Sequence, residues 1–176
     1  MAIEQENTLA AIQIAIQMEI DGKEFYLKAD EESSNEPGKK LLKSLAAAED
    51  EHLQKFVEIY DTIRSEKDWP IIIPQFGLSK ELKTIFAEAT EELGTNVGVY
   101  ATELGAIEKA MEMENKTYDF YKSREQKINY DVERDFYQSI AAEEREHYLV
   151  LLDYYEYLKD PAGYFISKER SSLDGG

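Results

Sequence analysis

Residues 42–56 read LKSLAAAEDEHLQKF, and within this stretch Glu49 and His52 lie three positions apart. Residues three or four apart share one face of an α-helix. The other residues on that face are apolar, namely Leu42, Leu45, Ala46, Leu53 and Phe56. The pattern predicts a helix whose apolar stripe faces a core. Because a buried carboxylate is costly unless it is paired or bound to a metal, the Glu-x-x-His spacing indicates two inward-pointing metal ligands.

The same spacing recurs 95 residues later, at Glu144 and His147. The residues that share their helical face are again mostly apolar: Tyr137, Ile140, Ala141, Tyr148 and Leu151. His52 and His147 are the two histidines of the chain. A single Glu-x-x-His is usually a solvent-exposed pair. Two copies on apolar stripes at one offset instead favour a shared, buried site.

The offset of 95 also relates the segments that precede these two motifs. The matching pairs include Ile12 and Ile107, Ala15 and Ala110, Glu19 and Glu114, and Tyr26 and Tyr121. Glu19 and Glu114 each lie on an apolar helical face of their own. The sequence therefore predicts two copies of one helical hairpin, over residues 8–66 and 103–161, joined by an insert over residues 67–101.

Two hairpins with one apolar stripe per helix bury those stripes only against each other, which predicts an all-α four-helix bundle over residues 1–160. The long insert lets the second and third bundle helices run parallel. The predicted helices, including a shorter one inside the insert, span residues 8–31, 37–65, 80–93, 101–127 and 131–159. Pro161 is expected to stop the last of them and leave a frayed tail, 161–176. Trp69 is expected to anchor the insert.

Composition narrows the functional classes. The 176 residues carry a net charge of −17 and no cysteine. The negative charge disfavours nucleic acid and anionic membranes as partners and favours cations. The missing cysteines exclude disulfides and thiolate metal sites on these residues. No signal peptide and no segment long enough to cross a bilayer are recognisable, so we expect a cytoplasmic location.

The charges in the predicted interior balance for two divalent cations. Four carboxylates and two neutral imidazoles match the charge of two such ions. Oxygen-rich ligation with one nitrogen per metal suits iron or manganese, and zinc would also bind. We expect Glu49 and Glu144 to bridge the two metals, and Glu19 and Glu114 to be terminal ligands. His52 and His147 are each expected to bind one metal.

The phrases AIQMEIDGKEFY, ending at Tyr26, and AEDEH, ending at His52, with their repeats through Tyr121 and His147, resemble the ferritin-like di-iron carboxylate proteins, and among them the rubrerythrins. The resemblance implies a ferritin-like bundle with two iron ions. It implies an oxidoreductase whose di-iron(II) centre is oxidised by hydrogen peroxide or O₂, in oxidative-stress defence or iron handling. The carboxylates that would carry this chemistry are Glu19, Glu49, Glu114 and Glu144.

Two departures from the rubrerythrin pattern bear on that function. Without cysteine the chain has no rubredoxin site, so a separate electron donor such as a rubredoxin or a flavoprotein is expected. The family also carries an extra glutamate one turn from the third-helix ligand. Here Met111 and Thr117 stand three positions from Glu114, which argues for a smaller preference for peroxide.

Several alternatives stay open from the sequence. Tyr26 and Tyr121 are compatible with hydrogen bonding to the ligands and equally with ordinary core packing. A homodimer is expected, with a hairpin exchange through the insert as one form. The chain also fits a non-catalytic metal-stabilised or iron-carrying bundle, and an O₂-activating oxidase or monooxygenase. Carboxylates off the stripe, such as Glu143, are expected to be solvated.

Overall fold

The structure is a computed structural model that describes residues 2–66, 69–70, 78–95, 101–128 and 130–173. The described residues form six α-helices and no strand. The helices are α1 (Ala2–Glu32), α2 (Glu36–Glu66), α3 (Leu78–Leu93), α4 (Ala101–Glu125), α5 (Asp131–Lys159) and α6 (Pro161–Leu173). None of the described helices is both long and apolar enough to span a membrane.

The four long helices pack as two hairpins, α1 on α2 and α4 on α5, and α1 also packs on α4. Two hydrogen bonds fix the relative direction of the hairpins: Tyr26 donates to Glu114, and Tyr121 donates to Glu19. These pairings require α1 and α4 to run antiparallel, so α2 and α4 run parallel. The predicted all-α ferritin-like bundle is therefore confirmed, with a long connection between its second bundle helix, α2, and its third, α4.

The core consists of two apolar clusters at different levels of the bundle. One contains Leu41, Leu42, Leu45, Leu151 and Tyr154, and the other contains Phe56, Ile59, Trp69, Phe136 and Tyr137. Along α2, Glu49 and His52 lie between the leucines of the first cluster and Phe56 of the second. The two clusters therefore enclose the polar residues from both sides.

A buried polar network joins the two hairpins at one end of the bundle. The carboxylate of Glu103 in α4 accepts hydrogen bonds from Asn35 (2.7 Å), Tyr154 (2.9 Å) and Ser33 (3.1 Å). Asn35 also accepts a hydrogen bond from the backbone N–H of Gly38, at 2.5 Å, and so caps the start of α2. One carboxylate thus holds the α1–α2 turn against both helices of the second hairpin.

Helix α6 is the main difference from the sequence expectation, which placed a frayed tail after Pro161. Asp160 leaves helical geometry (φ −147°, ψ 79°), and its side chain accepts the Gly163 N–H at 3.0 Å. An aspartate cap followed by proline at the first helical position is a strong helix start. Tyr164 then packs against the rings of Phe86 and Tyr157. The tail expectation was wrong for residues 161–173 because this aromatic contact holds a new helix against α3 and α5.

Candidate metal centre

Six buried side chains from α1, α2, α4 and α5 converge in the middle of the bundle. None of them is more than 3% exposed: Glu19, Glu49, His52, Glu114, Glu144 and His147. They are the six residues that the repeated motifs single out, and each projects from the apolar stripe of its helix. The structure therefore brings the whole predicted ligand set together within one chain.

The six residues form two groups that share two carboxylates. One group consists of Glu19, Glu49, His52 and Glu144, and the other of Glu49, Glu114, Glu144 and His147. Each group offers one imidazole nitrogen and three carboxylates. Glu49 and Glu144 belong to both groups, which is the arrangement that two bridging carboxylates would have.

The first group is arranged around the Nδ1 atom of His52. This nitrogen lies 3.2 Å from Glu144 Oε1, 3.3 Å from Glu19 Oε2 and 3.9 Å from Glu49 Oε2. Ligands about 2.1 Å from a common ion are about 3.0 to 3.4 Å apart. Two of the three separations therefore fit atoms that surround an ion.

The second group repeats this arrangement around His147. Its Nδ1 atom lies 3.3 Å from Glu49 Oε1 and 3.6 Å from both Glu114 Oε2 and Glu144 Oε2. The two imidazole rings stack at 5.4 Å between centroids. The two nitrogens thus face the shared carboxylates from neighbouring positions.

Several buried ligand atoms in this centre have no hydrogen-bond partner among the described residues. They include both carboxylate oxygens of Glu144, Glu19 Oε2 and both ring nitrogens of His147. Buried polar atoms are rarely left unsatisfied, because each lost hydrogen bond costs about 1 to 3 kcal/mol. Unsatisfied oxygen and nitrogen atoms that converge on one space fit metal ions, and the oxygen-rich set suits iron or manganese.

Protons compensate the crowded negative charge when no metal is bound. Burial, and then the charge of Glu144, raise the pKa of Glu114 to about 8. Burial and three neighbouring carboxylates also raise the pKa of Glu49. Burial lowers the pKa of His52, but the carboxylates of Glu144 and Glu19, 3.2 and 3.3 Å from its Nδ1 atom, outweigh burial and hold that pKa well above its usual value. The site therefore holds protons that a metal ion would displace.

Two buried tyrosines connect the halves of the centre. Tyr26 on α1 donates to Glu114 on α4, and Tyr121 on α4 donates to Glu19 on α1. Each tyrosine thus bonds to the carboxylate of the other repeat. The position of the hydroxyls favours a role in orienting the ligands over core packing alone.

Sequence reasoning missed two residues beside the centre. Gly22 lies against Glu49, since a Cβ atom there would be in van der Waals contact, at 3.4 Å, with the Glu49 carboxylate carbon. Glu143 is half-buried, and one of its oxygens lies within 4.8 Å of a nitrogen of both histidines. The expectation that Glu143 is solvated was wrong because its carboxylate lies beside the two histidines of the centre. The one available signal was that the repeat places Ala48, not a carboxylate, at the matching position.

A family model described as Rubrerythrin matches residues 10–155, which include all six residues of the centre. The chain belongs to the rubrerythrin family. No curated protein and no solved structure matches the chain. A rubrerythrin domain with a buried cluster of four glutamates and two histidines supports a di-iron protein. The matched segment ends before α6, so the last helix lies outside the rubrerythrin match.

Proposed function

We propose that this rubrerythrin-family chain is a di-iron oxidoreductase whose di-iron(II) centre is oxidised by hydrogen peroxide. The single observation that carries the proposal is the pair of buried donor groups that share Glu49 and Glu144. Two ions held by common carboxylates would lie close enough to act on one small oxidant together. Bound iron would supply the two electrons that convert one hydrogen peroxide, with two protons, into two water molecules.

The residues would divide the work of holding the ions. Glu19 and His52 would bind one ion, Glu114 and His147 the other, and Glu49 and Glu144 would bridge them. Tyr26 and Tyr121 would fix the rotamers of Glu114 and Glu19 through their hydrogen bonds. The apolar clusters on both sides would limit water around the ions and so strengthen these electrostatic interactions.

The absence of cysteine and the negative net charge bear on the electron donor and on the partners. A chain without cysteine carries no rubredoxin site, so sustained turnover would need a separate donor such as a rubredoxin or a flavoprotein. We further propose a cytoplasmic homodimer that acts in oxidative-stress defence or iron handling. The acidic surface would attract Fe²⁺ and repel nucleic acid and anionic membranes.

A ferroxidase that uses O₂ is the second candidate. Met111 and Thr117 occupy the positions one turn from Glu114 where the family resemblance leads one to expect a further glutamate. The missing carboxylate argues for a smaller preference for peroxide, and so for faster oxidation by O₂ than in a centre that has it. Peroxide remains the first choice because the rest of the ligand set is complete.

Stopped-flow absorbance separates the candidates. The diferrous protein is mixed anaerobically with hydrogen peroxide and, in a parallel experiment, with O₂ at the same concentration. Faster oxidation by peroxide supports the proposal, and faster oxidation by O₂ supports the ferroxidase. The absence of oxidation by either oxidant would leave a non-catalytic, metal-stabilised bundle. The zinc-loaded protein is the control for absorbance changes that do not come from iron.

A further inference from the structure

A line of three aromatic side chains leads from the metal centre toward the insert. Tyr121 donates a hydrogen bond to Glu19, and its ring lies 6.0 Å from that of Tyr137 between centroids. The ring of Tyr137 lies 6.1 Å from that of Trp69. None of the three side chains is more than 7% exposed. The chain thus places consecutive ring contacts between a candidate ligand and a residue of the insert.

This line of rings occurs in only one of the two repeats. Tyr26 matches Tyr121, but the position that matches Tyr137 is Leu42. Among the described residues, the ring of Tyr26 contacts that of Phe25. Trp69, the single tryptophan of the chain, lies in the insert outside both repeats. The line of rings is therefore not a consequence of the repeat, because the other half is built without it.

We propose that Tyr121, Tyr137 and Trp69 form a one-electron relay between the metal centre and Trp69 in the insert. Tyrosine and tryptophan are the aromatic side chains that lose an electron most readily. Electron tunnelling weakens steeply with distance, so contacts between successive rings favour transfer along this line. The relay rests on the proposed function for its natural oxidant, and its chemistry is open to a test without iron.

The two tyrosines of the relay differ in whether the phenolic proton has an acceptor. Tyr121 has an acceptor, because its hydroxyl is hydrogen bonded to the Glu19 carboxylate. The hydroxyl of Tyr137 has no hydrogen-bond acceptor among the described residues. Loss of its proton is therefore disfavoured. Tyr137 acts as a bridge, across which an electron passes between Trp69 and Tyr121 in either direction.

Reduction of one hydrogen peroxide takes two electrons, and the relay would supply the second electron when bound iron can supply only one. Hydrogen peroxide would then receive one electron from bound iron and one from Tyr121, with two protons, and would form two water molecules. Tyr121 regains its electron from Trp69 through Tyr137, and its proton returns along the hydrogen bond. A one-electron reductant, such as a reduced flavoprotein or a rubredoxin, restores Trp69. The oxidising equivalent is then passed from the core to Trp69 through side chains, and no diffusible radical is released.

Pulse radiolysis of the full-length, zinc-loaded protein tests the relay. Azide radicals oxidise tryptophan preferentially, and Trp69 is the one tryptophan available. In the wild type the Trp69 radical should take an electron from Tyr121, which is the proposed transfer run in reverse along the same three rings. We therefore expect the tryptophan radical absorbance to decay while a tyrosyl radical absorbance rises, at a rate independent of protein concentration. Tyr121→Phe should abolish the tyrosyl rise, and Tyr137→Leu should slow it at least tenfold.

Tyr155→Phe is the matched control, because it removes a tyrosine hydroxyl that is bonded to a carboxylate, Glu108, outside both the line of rings and the metal centre. This variant should keep the wild-type rates. An unchanged tyrosyl rise in Tyr121→Phe would overturn the relay, and so would an equal loss in Tyr155→Phe. Zinc is redox-inactive, so either result stands whether or not iron in this protein reacts with peroxide.

Discussion

The hydroxyl of Tyr26 on α1 donates a hydrogen bond to the carboxylate of Glu114 on α4, in the other repeat of the chain. The bond crosses from one hairpin to the other inside a space that both apolar clusters close off. It therefore links the rotamer of a candidate metal ligand to the alignment of the hairpins. Its symmetric counterpart joins Tyr121 to Glu19.

Replacement of Tyr26 by phenylalanine is expected to weaken both metal binding and the fold. The change leaves the Glu114 oxygen without its donor in a buried site, which costs about 1 to 3 kcal/mol. Loss of a residue that orients a ligand typically lowers metal affinity by about 10 to 100-fold. Competition titration with Co²⁺ and thermal unfolding measure the two effects. Tyr155→Phe, which removes a hydroxyl bonded to the surface residue Glu108, should change neither.

The sharing of Glu49 and Glu144 between the two groups predicts unequal effects on metal stoichiometry. Anaerobic titration with Fe²⁺ should saturate near two ions per chain. Glu49→Ala should weaken both binding steps, because Glu49 belongs to both groups, whereas Glu19→Ala should weaken one and leave the other. Glu51→Ala, a change outside the cluster, serves as the control. Wild-type saturation at one ion or none would contradict the two-ion centre.

The metal-free protein is expected to lose stability as the pH rises from about 5 to about 8. The pKa of Glu114 in the folded protein is about 8, above its ordinary value of 4.5, so the folded state keeps a proton that the unfolded state loses. The stabilisation from this proton is complete below pH 4.5 and disappears as the pH passes through 8. The raised pKa values of His52 and His147 act in the same direction above their ordinary value of 6.5.

Metal should oppose this loss of stability. Bound ions replace the protons, and a ligand at a hundredfold excess over its Kd adds about 2.7 kcal/mol. Melting temperatures with and without Mn²⁺, measured across this pH range, should diverge as the pH rises. Curves that stay parallel, or a metal-free protein that becomes more stable toward pH 8, would show that the carboxylates are not the source of the effect.

Most of the fold and of the candidate site could be predicted because both depend on repeated helical spacing. Glu19, Glu49 and His52 each stand out as polar residues on apolar faces, and the offset of 95 duplicates them. Spacing along one helix, however, does not show which helix covers its flanks. Glu143 was therefore misjudged, since its position beside His52 on α2 depends on how α5 packs against α2.

Contacts between distant segments were the other part that the sequence could not provide. Tyr26 and Tyr121 were identified, but their crossing to the glutamates of opposite repeats depends on the antiparallel packing of α1 and α4. Trp69 was expected to anchor the insert, yet its alignment with Tyr137 and Tyr121 follows from tertiary packing alone. Helix α6 has a clear local start at Asp160 and Pro161, and its capping pattern could have been recognised.

The polar network around Glu103 provides the last prediction, through two helical glycines with opposite surroundings. A Cβ atom at Gly38 would collide with the Tyr154 hydroxyl and would lie 2.7 Å from oxygens of both Asn35 and Glu103. The Glu103 oxygen accepts hydrogen bonds from the Asn35 amide and the Tyr154 hydroxyl, and the Asn35 oxygen accepts one from the Gly38 N–H, so none of the three oxygens can move without losing a partner. Gly38→Ala is therefore expected to destabilise the protein by about 1 to 3 kcal/mol.

Gly105 in α4 is the matched control, because a Cβ atom there would meet no atom within 4 Å. Alanine is a better helix former than glycine by about 1 kcal/mol, so Gly105→Ala should stabilise the protein. Chemical denaturation of both variants, with metal bound, measures the pair. A Gly38→Ala variant as stable as Gly105→Ala would mean that the Glu103 network does not hold the α1–α2 turn. A Gly38→Ala variant in which Tyr154→Phe restores stability would identify the hydroxyl as the atom in the way.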